Sequence, residues 1–174
     1  EMCIRDRKVT ARGELSTEQI DSLGLSAVRG LFSGIIDEPV TFVNAPQIAQ
    51  SRGLEYSVET QTEARAHRSA LEVQVVSAAG NAVTVTGALT GLEGVEKIVR
   101  INGRGVDMRA QGRNLFFQYT DAPGALGTVG SKLGNKGINI EAAALTQASK
   151  GDGAILILRV EAEVPEALVN EIAQ

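Results

Sequence analysis

The residues best placed for chemistry lie between Asp121 and Gly130, where Asp121-Ala122-Pro123-Gly124 runs into Ala125-Leu126-Gly127-Thr128-Val129-Gly130. Proline suits the first turn of a helix, because its missing N–H is not needed there, so a helix is expected to open at Pro123. The first N–H groups of a helix have no partner within it and sit at the positive end of its dipole, so they can receive a carboxylate. Asp121 offers an acceptor for an ammonium group. Asn139, past the helix, offers both a donor and an acceptor. Together these features suit a zwitterionic amino acid. The same residues equally suit a plainer arrangement, in which Asp121 caps the helix and Asn139 serves a turn.

A strand, glycines and a helix N-terminus also invite a dinucleotide reading, and the spacing argues against it. The glycines stand at Gly124, Gly127 and Gly130, without the close pair that lets backbone approach a pyrophosphate. A second candidate is basic. Lys97, Arg100, Arg104, Arg109 and Arg113 face only Asp107 within their stretch. Arginines grip phosphate bidentately, so the cluster is either an anion site or a solvated basic edge. The single histidine, His67, lies beside Arg65 and Arg68 on an expected loop. No nucleophile constellation accompanies it, so no catalytic residue is assigned. One Cys (Cys3) and one His cannot assemble a zinc site or an internal disulfide.

These residues need elements to hold them. Glu1 to Arg7 show neither strand nor helix period and read as a cloning or sequence-assembly remnant outside the fold. From Lys8 a short strand leads to Ser16 and Gln19, a capping box. Ile20, Leu23, Ala27 and Leu31 then recur at helical spacing, predicting an amphipathic helix to about Ile36, weakened at Gly24 and Gly30. Val40 to Val43 reads as a strand, and Asn44 as the cap of a small helix opened by Pro46. Strands follow at Leu54 to Gln61, Ser69 to Ser77, Ala82 to Leu89, Lys97 to Ile101 and Val106 to Ala110. In the third of these Val83, Val85 and Leu89 alternate with Thr84 and Thr86, as in a sheet with one covered face.

A seam between domains is expected at Gln111-Gly112-Arg113. Beyond it come a strand at Asn114 to Tyr119, a helix at Pro123 to Leu133 with its stop at Gly134 to Gly137, and a strand at Ile138 to Gln147. A turn at Lys150 to Gly153, a strand at Ala154 to Val160 and a helix from Pro165 complete it. The fold class is therefore α+β. An antiparallel-sheet domain over residues 8–111 precedes a ferredoxin-like β-α-β-β-α domain over residues 112–174 that lacks its last strand.

With 43% hydrophobic and 22% charged residues the 174-residue chain is expected to fold. Aromatics at 3% leave an aliphatic core, and a net charge of −4 excludes the basic, aromatic-studded face of a nucleic-acid binder. No apolar run approaches a membrane span and no signal-peptide pattern is visible. A cytoplasmic protein is expected.

Phe117-Gln118-Tyr119-Thr120-Asp121-Ala122-Pro123-Gly124-Ala125-Leu126, Leu133-Gly134 and Gly137-Ile138-Asn139-Ile140 resemble the ACT domain that closes D-3-phosphoglycerate dehydrogenases. Leu25 to Phe32, Val40 to Pro46 and Ile101 to Arg104 resemble the intervening domain of the long form of that family. The resemblance covers nearly everything from Val9 to Gln174.

The resemblance implies that the ACT domains pair across subunits of a homo-oligomer and bind L-serine, the pathway end product, as feedback inhibitor. The matching positions are Tyr119, Asp121, Pro123, Gly124, Ala125, Leu126, Asn139 and Ile140. It implies a second site, for phosphate or phosphorylated substrate, at Lys97, Arg104, Arg109 and Arg159, with Gly105 where some relatives carry histidine. It also implies a parent enzyme that oxidises 3-phosphoglycerate with NAD, in catalytic domains N-terminal to this chain. No cofactor is then expected within the chain itself. A stand-alone ACT-type binding or oligomerisation module, or the regulatory part of another amino-acid-pathway enzyme, is the alternative.

Overall fold

Two helices separate the first strand from the second, and that separation decides how the sheet is built. The computed structural model describes residues 4–17, 20–33, 35–63, 66–77, 80–120, 122–146 and 153–173, with side chains from residue 8 onward. It divides into two units, Glu1–Gly103 and Arg104–Gln174, eight residues before the seam expected at Gln111.

In the first unit β1 (Ile4–Gly13) runs through a 3-10 turn (Glu14–Thr17) into α1 (Ile20–Phe32) and α2 (Ala45–Ser51). The strands β2 (Glu55–Gln61), β3 (Ser69–Ser77), β4 (Ala82–Thr90) and β5 (Val95–Ile101) follow. They lie in the order β2-β1-β3-β4-β5. The β1–β2 pair is parallel and the others antiparallel, because only a long crossover can return a chain to run parallel to itself. One lateral row of this sheet is wholly apolar: Val58, Val9, Val73, Val85 and Ile101 are successive partners. α1 packs over its β1–β2 end, where Val9 and Ala11 are fully buried. Gly24 sits at the closest approach, since a Cβ there would lie 2.7 Å from Val58 Cγ2. Val28, Phe32, Ala45, Ile48, Ala49 and Leu54 form a core cluster between α1, α2 and the residue that leads into β2.

Five sequence expectations change here. Ile4–Arg7 belong to β1, held by backbone pairing with β3 up to Ser77 and not by any side-chain period. α1 ends at Phe32. Val40 to Val43 is not a strand: the Asn44 Oδ1 accepts from Thr41 N (2.7 Å) and Thr41 Oγ1 (3.0 Å), and its amide donates to Pro39 O, which closes a turn. That backward reach also leaves Asn44 without a side-chain bond to α2, so it does not cap that helix. In β4 the alternation holds, but burial falls on the other face. Thr86 and Ala88 are 7% and 8% exposed, against 49% and 55% for Val83 and Leu89. Gln19, needed for the expected capping box, lies outside the described residues.

The second unit opens with β6 (Arg104–Arg109) and continues with β7 (Arg113–Tyr119), α3 (Ala125–Asn135), β8 (Ile140–Leu145), β9 (Ala154–Val160) and α4 (Glu166–Ala173). Three strands pair antiparallel in the order β7-β9-β8. β9 is central and almost every residue in it is buried, as an unbroken Ala154 to Leu158 apolar run requires. Its Leu156, Leu158 and Val160 meet Phe117, Leu133, Ile138 and Leu168 in the core beneath α3 and α4. α3 stops where Gly137 turns to φ 72° and Ile138 N bonds back to Leu133 O, a left-handed cap that glycine takes without steric cost. This is the β-α-β-β-α arrangement of a ferredoxin-like domain with three strands. Among the described residues the outer edges of β7 and β8 have no strand beside them within this sheet.

Candidate functional site

Both β7 and β8 end at the same side of the sheet, because each is antiparallel to β9. The turn after β7 therefore lies beside the end of β8. It passes through Gly124, whose φ of 91° and ψ of −10° place it in the left-handed region, and the chain then enters α3 at Ala125, two residues later than the Pro123 start expected. Glycine is needed there because a Cβ would strain that conformation. Thr128 N bonds Gly124 O at 2.9 Å, and Ala125 N reaches Ala122 O at 3.3 Å. No side chain caps the turn from the Gly124 position, and among the described residues the Leu126 and Gly127 N–H groups make no hydrogen bond.

These groups border an open depression of about 340 Å³ lined by Tyr119, Gly124, Leu126, Gly127, Leu145 and Thr146, among others. Thr146 closes the far wall. Its hydroxyl accepts from Ile155 N at 3.0 Å and its N–H bonds Ile155 O at 2.9 Å, which fastens the end of β8 to β9. Behind Tyr119, Gly153 approaches so closely that a Cβ there would collide with the Tyr119 carbonyl. Arg104 donates its guanidinium to the Gly153 carbonyl. A depression with an apolar rim and unpaired N–H groups at a helix N-terminus can hold a carboxylate on a small body.

Of the expected effector residues, Tyr119, Gly124, Ala125 and Leu126 line this depression, and Pro123 stands in its turn. Asp121 lies outside the described residues. Asn139 and Ile140 stand elsewhere, at the start of β8, six residues from Leu145 and so about 20 Å away at the usual strand rise. Leu145 and Thr146 carry no ionisable group and were missed as site residues. Only the supposed turn at Lys150 to Gly153, which would bring the end of β8 near the start of β9, pointed their way.

The expected anion residues are distributed as follows. Lys97 is on β5, Arg104 and Arg109 on β6, and Arg159 on β9. Arg104 and Arg109 are five positions apart, so strand alternation puts them on opposite faces of β6, with Arg104 half-buried and Arg109 exposed. Arg159 Nε donates to Glu141 Oε2 at 2.9 Å across the β8–β9 pair.

Comparison with known proteins bears on both units. Residues 1–102 match the model for the D-3-phosphoglycerate dehydrogenase intervening domain. Residues 113–174 match that for the ACT domain. The chain belongs to the D-3-phosphoglycerate dehydrogenase family. It is 48% identical over 157 residues to D-3-phosphoglycerate dehydrogenase of Mycobacterium leprae, covering 90% of this chain and 30% of that protein. The Bacillus subtilis enzyme of the same name is 26% identical over 170 residues, 97% of this chain and 32% of that protein. The one from Methanocaldococcus jannaschii is 28% identical over 162 residues, 93% and 30% respectively. The chain thus spans about 30% of the length of these phosphoglycerate dehydrogenases, and it holds their intervening and ACT domains. Among the described residues no helix is long and apolar enough to cross a membrane, and no group of three or more His, Cys, Asp or Glu side chains is placed to hold a metal.

Proposed function

We propose that this chain is the regulatory part of a D-3-phosphoglycerate dehydrogenase and that it senses L-serine at a site shared between two copies. The observation that carries the reading is the helix end at Gly124, where Leu126 and Gly127, whose N–H groups make no hydrogen bond among the described residues, border a depression of about 340 Å³. There the serine carboxylate takes those N–H groups, aided by the positive end of α3. The ammonium is assigned to Asp121.

A second copy supplies what one copy lacks. β8 is an edge strand, and unpaired edges recruit partners. Two copies of β8 paired antiparallel about a twofold axis bring the Asn139 end of one strand to the Leu145–Thr146 end of the other. The Asn139 amide then bonds an effector seated in its partner's depression, and binding stabilises the pair. In the longer enzyme that would restrain the NAD-dependent oxidation of 3-phosphoglycerate in domains outside this chain. Phosphate or phosphorylated substrate is the second effector on this reading, met by the exposed Arg109, since Arg104 on the opposite face of β6 and Arg159 beside Glu141 are already engaged.

Calorimetry with L-serine tests the reading, with D-serine as control. A hydrogen bond to a charged group contributes roughly 1.5–3 kcal/mol, so Asn139→Ala should weaken binding by about tenfold or more. Equal affinity for wild type and variant, or for the two enantiomers, would place the effector elsewhere.

A further inference from the structure

The polar face of the first unit's sheet holds a cavity that neither the serine reading nor the second effector set uses. Its wall is a lateral row of strand partners: Thr10 on β1, Glu72 on β3, Thr86 on β4 and Arg100 on β5. The neighbouring row adds Arg12 and Ala70. A register shift in β5 sets Ile98 to Arg100 opposite only Thr86 and Gly87. This bulge turns Arg100 onto the same face as Lys97, three residues earlier, where simple alternation would oppose them. Arg12, His67, Ala70, Glu72, Thr86 and Arg100 line the resulting cavity of about 60 Å³.

Part of this lining is fully engaged. Arg12 Nη2 donates to Glu72 Oε1 at 3.0 Å, Arg12 Nη1 donates to Gln61 Oε1, and Thr86 Oγ1 approaches Glu72 Oε2 at 3.5 Å. Arg12 and Glu72 are enclosed, with 18% and 26% of their side chains exposed. Lys97, on the same face, has a partner of its own. Arg100 and His67 differ. Both are half-buried, both line the cavity, and among the described residues neither makes a hydrogen bond or an ion pair. A guanidinium held out of water beside an empty space favours an anion, and its planar fork matches a carboxylate.

Charge and size narrow the choice. Among the described residues, two guanidinium groups against one carboxylate leave a single positive charge in the wall before His67 is counted. That balances a monovalent anion, whereas a phosphate dianion would confront Glu72 uncompensated. At about 60 Å³ the cavity is several times the roughly 10–15 Å³ that one water needs on the same measure, so a small carboxylate fits.

We propose that this cavity is a binding site for a small monocarboxylate, or for the carboxylate end of a larger metabolite, gripped by Arg100 and His67 above the fixed Arg12–Glu72 pair. His67 is the sole histidine of the chain, so its imidazole resonance in an NMR titration reports on this cavity alone. Acetate is the probe, with inorganic phosphate and chloride at equal ionic strength as separate arms. The expected result is a saturable shift with acetate, little shift with the other two, and an affinity at least about tenfold lower in Arg100→Gln. Arg109→Gln and Asn139→Ala should titrate like wild type, which separates this site from the serine and phosphate readings. A His67 signal that acetate moves no more than chloride does, or that phosphate moves more strongly, would overturn the proposal. So would an unaltered titration in Arg100→Gln. Should that variant fail to fold, Arg100→Lys keeps the charge without the fork, and affinity equal to wild type there would overturn it as well.

Discussion

Gly153 has no side chain, yet the close packing at the end of β7 depends on it. An alanine Cβ at this position would lie 3.0 Å from the Tyr119 carbonyl carbon and closer still to its oxygen. Every atom it meets is backbone, so no side chain can rotate away. Tyr119 pairs with Ala154 at the last rung of the β7–β9 ladder, and Gly153→Ala must prise that rung apart. The shift also moves the Gly153 carbonyl away from the Arg104 guanidinium. Overpacking of this kind costs about 1–3 kcal/mol. For a unit the size of Arg104–Gln174, each kcal/mol lowers the melting temperature by roughly 4–8 °C. The variant should therefore melt about 5–20 °C lower in a calorimetric scan. Because Tyr119 lines the effector depression, L-serine affinity should fall in the same protein. A melting temperature within about 2 °C of wild type, with serine binding intact, would refute the argument that Gly153 is required by close approach.

Two further outcomes follow from the same structure. Gly24→Ala and Gly30→Ala lie in one helix and should act in opposite directions. A Cβ at Gly24 meets Val58 and Tyr56, whereas one at Gly30 meets nothing within 4 Å, so the first should lose about 1–3 kcal/mol and the second gain about 0.5–1 kcal/mol in urea unfolding; matching signs would contradict this. Purified chain should form no NADH from 3-phosphoglycerate and NAD, since its glycine turn lacks the dinucleotide spacing, and turnover above a blank measured at 340 nm would contradict that assignment.

Strand positions were legible wherever side-chain period and backbone pairing agree. Ser69–Ser77 and Ala154–Val160 were read with their observed limits. An alternating run and a solid apolar run each leave a strand few other places to lie. Pattern failed where a local polar bond competes: Val40 to Val43 is apolar enough for a strand, but Asn44 and Thr41 close the chain into a turn first. It failed again in β4, where enclosure comes from the paired long side chains of Arg12 and Glu72 and not from apolar cover. In the candidate site, the helix end and Gly124 were legible because turn chemistry is local. That Leu145 and Thr146 share the depression, while Asn139 stands at the other end of β8, was not. This depends on the parallel sense of β7 and β8, which exists only once β9 lies between them.

The claim that a serine site joins two copies can be tested by mixing two defective variants. Asn139→Ala removes the amide but keeps the turn. Leu126→Asp places a negative charge beside the exposed helix end, where it suits the helix dipole yet repels a carboxylate. Each variant alone should bind L-serine at least about tenfold more weakly than wild type in calorimetry. In a co-refolded equimolar mixture, half the pairs are mixed, and each mixed pair carries one intact turn facing one intact Asn139, so about a quarter of the wild-type sites should return at wild-type affinity. A mixture that binds no better than its components would contradict the shared site, as would Asn139→Ala binding L-serine fully by itself.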